Sequence, residues 1–267
     1  MLLPVLCYIM ESVNVCKLKE SHHKMKQVNI LGIPFTNMDH ITLVQQLQKH
    51  IENKEKSFVV TANPEIVMRA HDDSYYMDCL QRASYITADG IGIVKASQLL
   101  KAPLPERVTG YDIMMEFLEK ANENNYRIYL LGAREETLHR AIKNINIDYP
   151  NIEVVGHRNG YFTWNDSSVA EDIKEKKPDI VFVALGVPKQ ERWIAENFSN
   201  FDRGVFICVG GSIDVVAGDV KRAPLRWQNM NLEWLYRLLK QPSRWKRMLA
   251  LPRFAYQVFR QRSDSQS

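Results

Sequence analysis

The stretch "SFVVTANPEIVMRAHD" (57–72) decides the fold. A short apolar run rich in β-branched residues ends at Ala62. Asn63 and Pro64 follow, and this pair reads as a helix N-cap with proline at the first helical position. The segment is therefore a buried strand that turns directly into a helix. Thr61 and Asn63 stand at the tip of that turn, where their side chains can hydrogen-bond a sugar. Taken alone, capping accounts for Asn63 and strand filling for Thr61 better than ligand contact does.

The same alternation recurs along the chain. Strand-like runs are "VNILGIPF" (28–35), "ASYITAD" (83–89), "YRIYLLGA" (126–133), "IEVVG" (152–156), "DIVFVALG" (179–186) and "GVFICVGG" (204–211). Several are continuously apolar, as strands buried on both faces must be. Helical patterns lie between them: Ile41, Val44, Leu47 and Ile51 at near-helical spacing, then "TGYDIMMEFLEKA" and "KQERWIAENF". Strand–helix alternation predicts an α/β fold with a mainly parallel, doubly wound, Rossmann-like sheet flanked by helices.

In such sheets ligands bind beyond the carboxyl ends of the strands. That rule selects Thr61, Asn63, Asp89, Gly90, Gly92, Gly132, Gly186, Gln190, Gly210, Gly211 and Asp214. In "TADGIGIV" (87–94) a carboxylate precedes G-x-G at a strand end. Asp89 there is either a helix cap or a general base for an attacking hydroxyl. Dinucleotide binding is disfavoured, because Lys95 stands where the third glycine of G-x-G-x-x-G belongs. The glycines of "ALGVPKQERW" (184–193) and "CVGGSIDVVAGDVKRAP" (208–224) lie close to Lys189, Gln190, Lys221 and Arg222, a combination that leans towards a nucleotide phosphate.

Charge is distributed unevenly. The 267-residue chain has a formal charge of +4, yet residues 221–267 carry +9 and residues 1–220 carry −5. The basic segment mixes Arg237, Lys240, Arg244 and Arg247 with Trp234, Trp245, Leu239 and Phe259, and Pro242 is expected to kink or split its helix. Basic residues interleaved with Trp, Phe and Leu suit an interfacial helix on an anionic bilayer. No RNA-binding or zinc signature appears, so nucleic acid is not the expected partner. A non-catalytic adaptor would use this tail but would leave Asp89 and Thr61 without a role.

The expected organisation is thus an N-terminal extension over 1–27, a catalytic α/β domain over 28–220 and a basic helical appendage over 221–267. Met25 is an alternative start. Cys7, Cys16, Cys79 and Cys208 form no C-x-x-C pair and are expected to be free thiols. The histidines show no metal-ligand spacing, and no run reaches the ~18 apolar residues of a membrane span.

The motifs "VTANPEIV", "ADGIGIV", "VFVALGVPKQE", "GGSIDVVAGDVKRAP" and "NLEWLYRLL…RWKRML", in this order, resemble the WecG/TagA/CpsF glycosyltransferase family over roughly residues 28–260. The resemblance implies an inverting transferase without cofactor or metal. It is most similar to members that move N-acetylmannosamine from UDP-N-acetylmannosamine to the 4-hydroxyl of N-acetylglucosamine on undecaprenyl diphosphate, in wall teichoic acid synthesis. Other members use N-acetylmannosaminuronic acid or another UDP-hexose. By the resemblance Asp89 is the base, Thr61, Asn63 and Gln190 bind substrate, and Arg237, Arg244 and Arg247 hold the diphosphate and close the site. Gly132, Gly186, Gly210 and Gly211 are the candidate nucleotide contacts. The implied place of work is the cytoplasmic face of the membrane, with peripheral attachment; homo-oligomerisation is left open.

Overall fold

The computed structural model describes residues 26–242 and 245–264. The expected extension over 1–27 therefore lies almost wholly outside the described residues, as do Cys7, Cys16 and Arg244.

The six-stranded sheet is wholly parallel. Its strands are β3 (Lys56–Ala62), β4 (Tyr85–Ala88), β5 (Arg127–Gly132), β6 (Glu153–Arg158), β7 (Ile180–Ala184) and β8 (Gly204–Cys208), in the order β4-β3-β8-β7-β5-β6. The register aligns Ala62 with Ala88 and Val59 with both Tyr85 and Ile207. Phe58, Val60, Leu131, Val181 and Phe206 face one side and Val59, Leu130, Phe182, Val205 and Ile207 the other, all fully buried. Period-2 geometry divides each apolar run between two cores, which is why these strands read as unbroken hydrophobic runs.

Helices cover both faces. One face carries α1 (His40–Glu52), α5 (Gly110–Asn124), α6 (Glu135–Asp148) and α9 (Ser212–Val216). The other carries α2 (Pro64–Asp72), α3 (Ser74–Gln81), α4 (Ile91–Leu99), α7 (Ser168–Lys176) and α8 (Lys189–Asn197). Asn63 caps α2 as its sequence predicts, its Oδ1 accepting from the Ile66 amide at 3.0 Å.

Two expectations change. The run 28–35 is not one strand but an antiparallel hairpin, β1 (Gln27–Ile30) with β2 (Ile33–Thr36). Leu31 and Gly32 take φ of 51° and 87° and reverse the chain, so this pair stands outside the parallel sheet. On α1, Ile41 is exposed, and Leu43 joins Val44, Leu47 and Ile51 in the core.

The basic segment forms α10 (Leu225–Asn229), α11 (Glu233–Lys240), α12 (Trp245–Met248) and α13 (Ala250–Asp264). The break after Lys240 falls beside Pro242, which cannot donate the backbone bond a continuing helix needs. The last helix packs against the α/β body. Phe254 and Val258 are buried in the core beside α2 and α4. Arg253 grips Asp72 with two hydrogen bonds, and the Gln261 side chain accepts from the Leu31 amide at 2.9 Å and donates to the Asn29 carbonyl at 3.1 Å.

Candidate active site

The carboxyl ends of β3, β4, β7 and β8 bring the predicted residues together. Asp89 follows β4 directly, and its amide donates to the Ala62 carbonyl at 2.9 Å, which sets it beside Asn63. Its side chain does not cap α4. Gly90 occupies the cap position with φ 138°, and no side chain bonds the free amides there. The capping role is thereby excluded, and the carboxylate is left uncommitted.

Protein surrounds Asp89 on most sides. This desolvation pushes its carboxyl up to about 6, against the opposing pull of Arg237 and Arg107. Glu233 and Asp112, also nearby, push in the same direction as burial. A carboxylate that ionises close to neutrality suits proton abstraction.

Thr61 is buried, and its hydroxyl donates to the Cys208 carbonyl at 2.9 Å, tying the tip of β3 to that of β8. Gly110, at the start of α5, passes close to both: a β-carbon there would lie 3.0 Å from the Thr61 hydroxyl and 3.0 Å from the Cys208 oxygen. Asn63 uses its carbonyl oxygen as a cap and keeps its amide nitrogen for other partners.

Gln190 lies in the first turn of α8 and is buried. Its Nε2 donates to Glu191 Oε1 at 2.7 Å, while its own Oε1 is buried without a partner. Glu191 is completely buried, and its Oε2 and the nearby Tyr76 hydroxyl also lack a hydrogen bond. Burial raises the Glu191 carboxyl to about 7. Sequence reading passed over Glu191, because a charged residue on a helix ordinarily faces water.

The basic residues arrive from the C-terminal helices. Arg237 of α11 is, with Arg107, a cation acting on Asp89. Arg247 of α12 lies 3.7 Å from Glu65 in the first turn of α2, next to the Asn63 turn. Arg107, in the loop before α5, pairs with Glu233 at 3.3 Å. Arg222 is held by Asp112 at 2.8 Å and stacks over Tyr111. Lys189 is exposed on α8.

The four candidate nucleotide glycines divide. Around Gly186 and Gly210, both at positive φ, the space a β-carbon would fill is open, and Gly211 has only the Asp214 carboxylate nearby at 3.5 Å. Gly132 has a different reason to be glycine. A β-carbon there would lie 2.4 Å from the backbone of Ala184, so its absence lets β5 and β7 approach. Packing explains this glycine without a ligand.

Among the described residues one cluster has metal-ligating character. Glu135, His139 and His157 place ligand atoms within 4.8 Å of one another. They come from α6 and β6, so linear spacing could not show them. They are exposed and lie at the β6 edge of the sheet, opposite the β4 edge that carries Asp89. Cys79 and Cys208 are free and buried, as expected.

Residues 28–267 match the family described as Glycosyl transferase WecG/TagA/CpsF. The N-acetylglucosaminyldiphosphoundecaprenol N-acetyl-beta-D-mannosaminyltransferase of Bacillus subtilis (strain 168) is 39% identical over 244 residues, covering 91% of this chain and 95% of the relative. The protein of the same name from Staphylococcus aureus (strain MW2) is 40% identical over 241 residues, covering 90% and 94%. With the motifs, the parallel sheet and nearly the whole length in agreement, the chain belongs to the WecG/TagA/CpsF family of glycosyl transferases.

Proposed function

We propose that the protein transfers N-acetylmannosamine from UDP-N-acetylmannosamine to the 4-hydroxyl of N-acetylglucosamine on undecaprenyl diphosphate, forming the β-1,4-linked disaccharide. The donor and acceptor follow the activity named for the two relatives, and the observation that carries the chemistry is the Asp89 carboxylate, which caps no helix, is raised to about 6 and feels Arg107 and Arg237. As the acceptor oxygen attacks the anomeric carbon, Asp89 takes its proton. The new C–O bond forms on the face opposite the departing UDP, and the α-linked donor becomes a β-glycoside. The bond from the anomeric carbon to the phosphate oxygen breaks with its electron pair, so UDP leaves with its negative charge. Arginines supply the compensating charge in hydrogen-bonded form. Arg237 and Arg247 serve the diphosphate, joined by Arg244, and the Asn63 amide and Gln190 orient sugar. Thr61 acts through the β3–β8 tip geometry. Gly186, Gly210 and Gly211 leave room for the nucleotide.

Docking on an anionic membrane surface brings the enzyme to its lipid acceptor. Among the described residues, eight of the fourteen exposed large hydrophobics lie between Leu225 and Phe259, in the stretch that carries the excess of basic residues. No helix among the described residues is long and apolar enough to cross a membrane. Peripheral attachment at the cytoplasmic leaflet fits both facts.

The test is product analysis by mass spectrometry. Full-length protein is given a short-chain lipid diphosphate carrying N-acetylglucosamine, with UDP-N-acetylmannosamine, UDP-N-acetylmannosaminuronic acid or another UDP-hexose. Transfer of N-acetylmannosamine, persisting in EDTA, is expected. Transfer from another donor only would overturn the donor assignment, and transfer from none would overturn the reaction.

A further inference from the structure

Glu233 is an unusual residue to find buried. It opens the first turn of α11, is 7% exposed and serves two cations at once. Arg107 Nη1 donates to its Oε2 at 3.3 Å, and Arg237 Nη2 donates to its Oε1 at 2.5 Å. Arg107 belongs to the loop before α5, and Arg237 lies one helical turn beyond Glu233. One carboxylate therefore draws together two guanidinium groups 130 residues apart in sequence. Both cations, and Glu233 itself, act on Asp89.

Two guanidinium groups converging on two oxygens of one anion is the geometry in which arginines bind a phosphate. A helix N-terminus strengthens the hold on any anion placed there. Substrate phosphates entering beside Asp89 would meet these arginines already occupied. A second anion cannot share them with a buried carboxylate without strong repulsion, so one of the two must leave.

We propose that Glu233 is a positioning residue that stands in for a substrate diphosphate, holding Arg107 and Arg237 together beside Asp89 until the diphosphate displaces it. The inference rests on the transferase reading for its ligand, a diphosphate group, which either UDP or the polyprenyl diphosphate can bring. Glu233 keeps the two cations from repelling one another in the free enzyme. It also ties α11 to the loop before α5 through Arg107, so ligand exchange at the arginines and the seating of α11 are one event.

The experiment measures inorganic pyrophosphate binding by calorimetry on full-length protein. Glu233→Gln keeps the shape and removes the competing charge, so pyrophosphate should bind about tenfold tighter. In an Arg237→Met background that gain should shrink to less than threefold. A merely structural carboxylate gives no gain, and loosened arginines give a loss; either result overturns the proposal. Should Glu233→Gln fail to fold by thermal melting, Glu233→Asp takes its place. Its shorter side chain cannot span both arginines, so at least a threefold gain is expected, and no gain overturns the proposal. Parallel titrations with UDP and farnesyl diphosphate identify the source, the displacing ligand being the one whose affinity rises; a rise for neither overturns the proposal. Failure of the transferase reading would show separately, as absence of sugar transfer by the wild-type enzyme while the pyrophosphate gain persists.

Discussion

Thr61 donates its hydroxyl hydrogen to the carbonyl of Cys208, joining the ends of β3 and β8 at 2.9 Å under the turn that carries Asn63. Both groups are buried, so the bond has no water to replace it. Thr61→Val keeps the shape and orphans the carbonyl, at a cost of ~1–3 kcal/mol. Thr61→Ser restores the donor and should melt near the wild type. Equal melting temperatures for all three proteins would mean that the bond contributes nothing to the fold.

As the proposed base, Asp89 should set the acid limb of the reaction. Its carboxyl is raised by burial to about 6, and only the ionised form accepts a proton. Rate should therefore climb as pH rises through 6 and level off above it. Asp89→Asn should lower turnover by ~10²–10⁴ and erase that limb, while UDP binding changes little. An Asn variant with wild-type turnover would remove Asp89 from the chemistry.

These two residues also mark how far the sequence could be read. The strand ends were legible because the buried strands are apolar on both faces and stop abruptly at polar or glycine residues. Strand–helix order then located Asp89, Asn63 and Gln190 at the carboxyl ends of the strands. The hairpin at 27–36 was not legible. Its turn is Leu31-Gly32, and a leucine at positive φ carries no turn signal. Ile41 misled for the opposite reason, since its spacing fits the buried stripe and yet it faces water. Glu191 and Glu233 were invisible because nothing in a linear pattern distinguishes a buried acid from a solvated one. Their burial follows from contacts across the fold, Glu191 with Tyr76 and Glu233 with Arg107. The Glu135–His139–His157 group is likewise assembled by the fold from two elements.

Glu191 should make stability depend on pH. Its carboxyl sits near 4.5 in the unfolded chain and is raised to about 7 by burial in the folded protein. Between those values the folded state holds the proton more tightly, so rising pH removes stability across this window. Glu191→Gln abolishes that loss. The melting temperature of the variant relative to wild type should rise from pH 5 to pH 8, with a limiting gain of about 3 kcal/mol. A difference that stays constant with pH would show that Glu191 does not titrate there.

The C-terminal helices present a packed face and an exposed one, and two substitutions can separate their proposed roles. Phe254 is 4% exposed and packs into the core beside α2 and α4, whereas Trp245 is 54% exposed on α12. Truncating a buried phenylalanine costs ~3–5 kcal/mol, so Phe254→Ala should lower the melting temperature sharply. Deleting all of 221–267 would strip that core contact together with Glu233 and Arg237, and so could not isolate membrane docking. Trp245→Ala combined with Leu239→Ala should leave melting nearly unchanged, because both side chains already meet solvent. The same double variant should lose co-sedimentation with phosphatidylglycerol vesicles yet still turn over a soluble acceptor analogue. Wild-type binding to those vesicles should weaken at 1 M salt, where the Debye length is ~3 Å, and should be weak on phosphatidylcholine. Unchanged vesicle binding by the double variant would show that this exposed apolar face is not what touches the membrane.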